Sequence, residues 1–251
     1  MYSKIYDFCK VRNEGGVFKN KSDEPTPRVK FLLELLDSEG IEYNLDVFPV
    51  KGWLKDGTSG YNIELIGSSS KMVIAHHDIN NPNIDNANDN SASVINAIML
   101  KKLRPELNVV LTDGEEFGGL GSQRLSERIN EGVWGQIDWV LNLELTGKGG
   151  KYFFIGDMPG KLTDHILSIF SCPVVRTPYN DSMTLRKNGI DSVVINPLPP
   201  CDEKTIVQWD EETFLDFKLL FNCHNERDSI DSISVDDMKE FVEEIVLKIV
   251  S

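Results

Sequence analysis

Val109-Val-Leu111, Thr112, Asp113-Gly-Glu-Glu-Phe117 and Gly118-Gly-Leu-Gly-Ser122 form the stretch on which the reading of this chain turns. An apolar run suited to a buried strand leads straight into two adjacent carboxylates and then a glycine-rich turn. Carboxylates at the exit of a buried strand are costly to desolvate unless something positive faces them. Taken alone, the five residues Asp113–Phe117 read equally well as a solvated acidic turn. What tips the balance is that other segments are built the same way.

Working outward, Lys71-Met-Val-Ile-Ala75 is a second short apolar run, and it stops at His76-His77-Asp78. Asp138-Trp-Val-Leu-Asn-Leu143 is a third, and it stops at Glu144. Between them the periodicity changes to that of helices, over Ser91–Leu103 and again up to about Asn130. The alternation continues with strands near Tyr152–Ile155, at Val174-Val175 and over Ser192–Ile195, and helices over Leu162–Phe170, Asp181–Lys187, Thr213–Phe221 and Val235–Val250. Pro197 to Pro200 reads as a break. Upstream, Val29 to Leu36 has helical spacing and Gly40 is placed to stop it. Ile41–Val50 and Tyr61–Ile66 read as a hairpin-like pair around a turn-rich Trp53–Gly60. This pattern predicts an α/β fold, a mostly parallel central sheet with helices on both faces in three layers. No linker or repeat divides the chain, so residues 1–251 read as a single domain.

The composition narrows the function classes. The 251 residues, 40% of them hydrophobic, suffice for one large core. Lys and Arg number 26 against 40 Asp and Glu, a formal net charge of −14. That argues against a nucleic-acid partner, which needs a basic footprint. No run approaches the roughly 20 apolar residues that span a bilayer, and the first ten residues lack a secretory apolar segment, so the expected location is cytoplasmic. Cys9, Cys172, Cys201 and Cys223 are scattered with no C-x-x-C pair, and are expected as reduced thiols.

Open α/β sheets carry their functional groups just past the carboxyl ends of the strands. Three predicted strand ends bear His76-His77-Asp78, Glu115-Glu116 and Glu144. Asp89 lies in the asparagine-rich loop before a helix, and His224 follows a helix in Asn222-Cys-His-Asn-Glu-Arg-Asp228. Each has a simpler reading: Asp89 as a helix cap, His224 as a surface histidine, Glu144 as a surface acid. Together, imidazoles and carboxylates without a thiolate suit Zn²⁺. A carboxylate bridging two ions, with two flanking ligands for each, makes a two-metal site. The adjacent Glu115 and Glu116 can divide the remaining work, one as ligand and one as general base.

The motifs carry a resemblance. Residues 71–232 resemble the M28 family of zinc-dependent aminopeptidases. The matching elements are His76-His77-Asp78 for H-x-D, Asn88-Asp89-Asn90-Ser91-Ala92-Ser93 for N-D-N/D-x-S-G, and Glu115-Glu116-Phe117-Gly118-Gly119-Leu120-Gly121-Ser122 for E-E-x-G-x-x-G-S. Asn142-Leu143-Glu144 stands for N-L-D, Asn180-Asp181-Ser182 then Lys187-Asn-Gly-Ile-Asp191 for S-D and K-x-G-I-P, and His224-Asn-Glu-Arg-Asp228-Ser229 for H-T-P-x-D-T. The resemblance implies two Zn²⁺ per chain, with Asp89 bridging, His76 and Glu144 completing one ion and Glu116 and His224 the other. It implies Glu115 as general base and Asp78 as the partner that orients His76. The H-x-D spacing favours His76, whereas the twelve-residue step from His77 to Asp89 is the more family-like gap; His76 is preferred. The implied substrate is a peptide with a free N-terminus.

Two departures stand out. Glu144 replaces an Asp, and Cys223 stands where aminopeptidases often have a Tyr that stabilises the oxyanion; Tyr179 is a candidate for that duty. Two other readings stay open: a cyclotransferase of the glutaminyl cyclase kind, with one zinc, and a non-catalytic binding protein on the same fold.

Overall fold

The three apolar runs that end in histidines and carboxylates lie side by side at the centre of an eight-stranded sheet. A computed structural model describes residues 1–11, 24–50, 59–197 and 223–251. Its strands are β1 (Asn44–Pro49), β2 (Ser59–Leu65), β3 (Lys71–His76), β4 (Asn108–Thr112), β5 (Trp139–Leu143), β6 (Phe153–Gly156), β7 (Val174–Val175) and β8 (Ser192–Pro197). Their order across the sheet is β1-β2-β4-β3-β5-β8-β6-β7. The central strands β4, β3, β5 and β8 run parallel, as do β6 and β7; β1 with β2, β2 with β4, and β6 with β8 are antiparallel. The sheet is therefore mixed and mostly parallel.

Helices cover both faces: α1 (Ile5–Cys9), α2 (Pro27–Ser38), α3 (Ala92–Leu103), α4 (Leu120–Asn130), α5 (Lys161–Ile169), α6 (Asp181–Lys187) and α7 (Val235–Phe241, continued by Val242–Val246 and Leu247–Val250). Side chains alternate across a strand, and the packing follows that alternation. Met72 and Ile74 of β3 join Val110 of β4 and Val140 of β5 against Leu125 of α4 and Leu185 of α6. Val73 and Ala75 join Val109, Leu111 and Leu141 in the larger cluster, with Leu32 of α2, Ile95 of α3 and Phe241 of α7. Burial on both faces is why these strands read as unbroken apolar runs.

Local signals set several boundaries. Thr26 caps α2 by accepting from the N–H of Val29, with Pro27 in the first turn. Gly40 follows α2 at φ +66°, a conformation that costs glycine little. Asn180 caps α6 by accepting from the N–H of Ser182. One expectation is corrected. Ser59 and Gly60 belong to β2 rather than to a turn, paired with Pro49 and Phe48. A Cβ on Gly60 would sit 2.3 Å from the Phe48 ring, so the glycine leaves room for the aromatic. Pro197 ends β8 opposite Phe153; proline is tolerated at a strand's end, where its missing N–H removes no interior ladder bond, and residues 198–200 of the expected break lie outside the described residues. The expected helix Thr213–Phe221, most of the turn-rich Trp53–Gly60, and Cys201 lie outside the described residues.

The β1–β2 pair is fastened to α4 by two arginines. Arg128 donates from Nε and Nη2 to the two carboxylate oxygens of Glu64 at 2.7 and 2.9 Å. Arg124 reaches Asp46 at 3.1 and 3.2 Å. Glu64 is 1% exposed, and burial raises its carboxyl above the ordinary range against the pull of Arg128. Arg128→Ala, which strands a buried carboxylate, is expected to cost about 3 kcal/mol in urea unfolding. A loss below about 1 kcal/mol would mean that the pair behaves like an exposed one.

Candidate metal centre

Parallel register brings the strand ends together. His76 of β3 lies level with Thr112 of β4, and β5 ends at Leu143 on the other side of β3. His76, the Asp113–Glu116 turn and Glu144 therefore emerge at one edge of the sheet. Glu115–Phe117 form a single helical turn between Gly114 and Gly118, both in the left-handed region at φ +73° and +92°. There glycine avoids the strain a side chain would bring.

The two candidate sets converge on one carboxylate. His76 Nε2 is 3.3 Å from Asp89 Oδ1 and 3.4 Å from Glu144 Oε2. His224 Nε2 is 3.2 Å from Asp89 Oδ2 and 3.1 Å from Glu116 Oε2. Within each set the donor atoms lie within 4.8 Å of one another. The first set is buried; in the second, His224 is half exposed, on a backbone with φ +61°. Asp89 therefore does not cap α3: its two oxygens face two different histidines.

The structure brings His76, not His77, to the carboxylates. The His77 ring lies 2.8 Å from the carbonyl of Tyr61, and burial lowers its pKa to about 4. Asp78 sits behind the cluster. One of its oxygens lies 3.3 Å from His76 Nδ1, and its two oxygens accept the N–H groups of Glu115 and Glu116 at 3.1 Å. A single carboxylate thus orients a histidine and the turn that carries the acidic pair. Burial would raise the Asp78 carboxyl, but His76 and the N–H of Glu115 hold it below the ordinary value.

The electrostatics follow from crowding. Burial raises the Glu115 carboxyl well above the ordinary range; His76 opposes the shift, while Glu144 and Asp181 add to it. Burial likewise lifts Glu144 to about 7. Hydrogen bonds donated to Asp89 and Glu116 raise His224 to about 10. Burial would raise Asp89, yet His224 and His76 hold it low. These donors, imidazoles and carboxylate oxygens, fit zinc; Cys223 belongs to neither set, and burial, with Asp89 beside it, pushes its thiol up and keeps it protonated. Glu116, whose Oε2 faces His224, has its Oε1 buried without a hydrogen-bond partner among the described residues, an acceptor that a cation bound to this carboxylate would satisfy.

Several contributors carried no role in the sequence reading. Asn90 donates to the carbonyl of Leu143 at 3.0 Å and accepts the N–H of Leu145 at 3.1 Å, gripping the backbone on both sides of Glu144. Asn196 donates to the Glu144 carbonyl, and Asn142 to its Oε1 at 3.2 Å. The longer acid is thus held by three asparagine amides. Asn142, on β5 two residues before Glu144, could have been found from period-2 spacing. Asp228 accepts the N–H groups of Asn88 and Asp89 at 2.6 and 3.1 Å, tying the His224 segment to the Asp89 loop. Asp181, wholly buried, accepts from the Thr112 hydroxyl at 2.6 Å. Asn88 accepts the N–H of Gly147, and Asn86 donates to the carbonyls of Asn81 and Ile84, which accounts for part of the loop's asparagine content. Tyr179 reaches the turn that carries the acidic pair. Its hydroxyl donates to the Gly118 carbonyl at 2.9 Å and meets the Thr184 hydroxyl, packing over Gly119.

An open α/β sheet thus gathers, at the carboxyl ends of its strands, two histidine–carboxylate sets that share one Asp and could each hold a metal ion. The chain belongs to peptidase family M28, whose model matches residues 63–249. No curated protein matches the sequence. Among solved structures, the zinc aminopeptidase of Bacillus subtilis is 19% identical with a TM-score of 0.60, over 77% of this chain and 50% of its own. This chain thus spans half the length of that enzyme. The Legionella pneumophila LapA aminopeptidase is 14% identical with a TM-score of 0.64, over 100% and 71%. The Fimbriiglobus ruber glutaminyl cyclase is 16% identical with a TM-score of 0.71, over 99% and 93%. At these identities the likeness is one of fold. Among the described residues no helix is long and apolar enough to cross a membrane.

Proposed function

We propose that this chain is a two-zinc aminopeptidase that hydrolyses the N-terminal peptide bond of peptides with a free amino terminus. The observation that carries the reading is the pair of oxygens of Asp89, one facing His76 and the other His224. His76, Asp89 and Glu144 would hold one ion, and Asp89, Glu116 and His224 the other. Bound there, zinc supplies Lewis acidity, polarising a carbonyl and lowering the pKa of water. Glu115 is the general base. It takes a proton from the attacking water as the oxygen joins the scissile carbonyl carbon, and gives it to the amine that leaves as the C–N bond breaks. Asp78 keeps the acidic turn and His76 in register. Glu115 and Glu144 present negative charge to the substrate's α-ammonium.

A second reading is cyclisation of N-terminal Gln, with ammonia as leaving group and no water consumed. It is favoured by the likeness in fold: the TM-scores are 0.71 and 0.69 with two glutaminyl cyclases, against 0.64 with the Legionella and 0.60 with the Bacillus aminopeptidase. The test is zinc content per chain together with product analysis on unblocked, N-acetylated and N-terminal Gln peptides. Two zinc ions with cleavage only of unblocked peptides is the expected result. One zinc, no hydrolysis and pyroglutamate formation would replace the proposal with the second reading. Zinc with neither activity would sink both.

A further inference from the structure

We propose that Arg28, from the N-terminal part of the chain outside the family match, is a positioning residue for the metal centre; this rests on the metal-site reading above. Arg28 lies in the first turn of α2, whereas the family model begins at residue 63. It is 1% exposed and heads the fully buried side chains by volume. Its Nε donates to the carbonyl of His77 at 2.8 Å, its Nη2 to the hydroxyl of Ser91 at 2.9 Å, and its Nη1 reaches the carbonyl of Phe8 at 3.4 Å. The guanidinium carbon stands 3.9 Å from the centre of the Phe8 ring.

The partners give the group its meaning. His77 directly follows His76, and Ser91 is two residues past Asp89. One planar fork therefore spans the two backbone segments that present the buried histidine and the shared carboxylate, while the Phe8 contacts hold the fork itself in place. Burying a guanidinium costs several kcal/mol of desolvation, and an apolar side chain would fill the same volume without that cost. Arginine's rigid planar donors can fix two acceptors at set distances; the ammonium of lysine is a point charge on a flexible stem. Partners of this indirect kind typically change metal affinity by about 10–100-fold when removed.

Positioning and charge predict opposite signs. A buried cation repels a cation site, so charge alone predicts tighter zinc binding once Arg28 is neutralised, whereas positioning predicts weaker binding. A brace that only steadies α1 and α2 predicts lower thermal stability and unchanged zinc affinity.

The test is the zinc dissociation constant of metal-stripped, folded wild type, R28K and R28M by competition with a chromophoric chelator, alongside the absorption spectrum of each protein loaded with Co²⁺. R28M is expected to bind zinc about 10–100-fold more weakly with an altered cobalt spectrum, and R28K to fall between R28M and wild type. Wild-type zinc affinity and cobalt spectrum in both variants, or tighter binding in R28M, would overturn the proposal. If R28M does not fold, R28K decides on the same criterion. Absence of zinc binding by the wild-type chain would overturn the metal-site reading and this inference together; zinc binding that the variants leave unchanged would overturn only this one.

Discussion

Glu115→Gln is expected to lower kcat for peptide hydrolysis by about 10³-fold while zinc content and KM stay near the wild-type values. A factor of that size corresponds to about 4 kcal/mol of transition-state stabilisation. The substitution keeps the size and shape of the side chain and removes its ability to accept a proton. The backbone N–H of residue 115 still donates to Asp78, so the turn that holds Glu116 beside His224 is kept. The carboxyl of Glu115 belongs to neither convergent set, which is why zinc content is expected to survive. Steady-state kinetics on an unblocked peptide, with metal analysis on the same preparation, checks both halves. Near-normal turnover would remove Glu115 from the chemistry. Loss of zinc would recast it as a ligand.

The second large effect is expected at Asp89. Asp89→Ala should take zinc from two ions per chain to none, because the two sets share this carboxylate. His224→Ala, by contrast, should spare the buried set and reduce the content to one. A ligand that binds only the folded state stabilises it by about 4 kcal/mol when its free concentration is a thousandfold above Kd. Wild type should therefore show a zinc-dependent rise in Tm that Asp89→Ala lacks. Retention of two ions by Asp89→Ala would rule out the shared role. The same experiment shows whether Asp89 is needed for folding itself, since metal-free wild type is its proper reference.

The acid-rich cluster also explains why so polar a centre tolerates burial. Asp78 is satisfied by two backbone N–H groups and faces His76; Asp89 faces two histidines; Asp228 holds two N–H groups from the Asp89 loop. Each carboxylate has a donor aimed at it, which offsets the desolvation that an unpaired one would suffer.

Much of this was legible in one dimension. Apolar runs buried on both faces announce themselves without alternation, so β3, β4 and β5 stood out, and the residues at their ends could be named as a set. The end of α2 at Gly40 was legible because capping is local. Ser59-Gly60 misled because glycine marks turns and close packing alike, and only the Phe48 ring distinguishes them. The hydrogen bond of the Tyr179 hydroxyl to Gly118 spans 61 residues and leaves no local signal.

The sequence by itself determined the mostly parallel α/β sheet, the strand ends at which chemistry gathers, and the histidines and carboxylates that could meet there, since each of these rests on periodicity or on the residue type at a strand terminus. Only the tertiary structure decided that His76 rather than His77 turns to the carboxylates, that Asp89 faces both histidines, that Asn90, Asn142 and Asn196 cradle Glu144, and that Arg28 reaches the same centre from the first turn of α2. Those choices depend on which way a strand's last side chain points and on hydrogen bonds that close over 49 and 63 residues. Neither leaves a mark in local sequence.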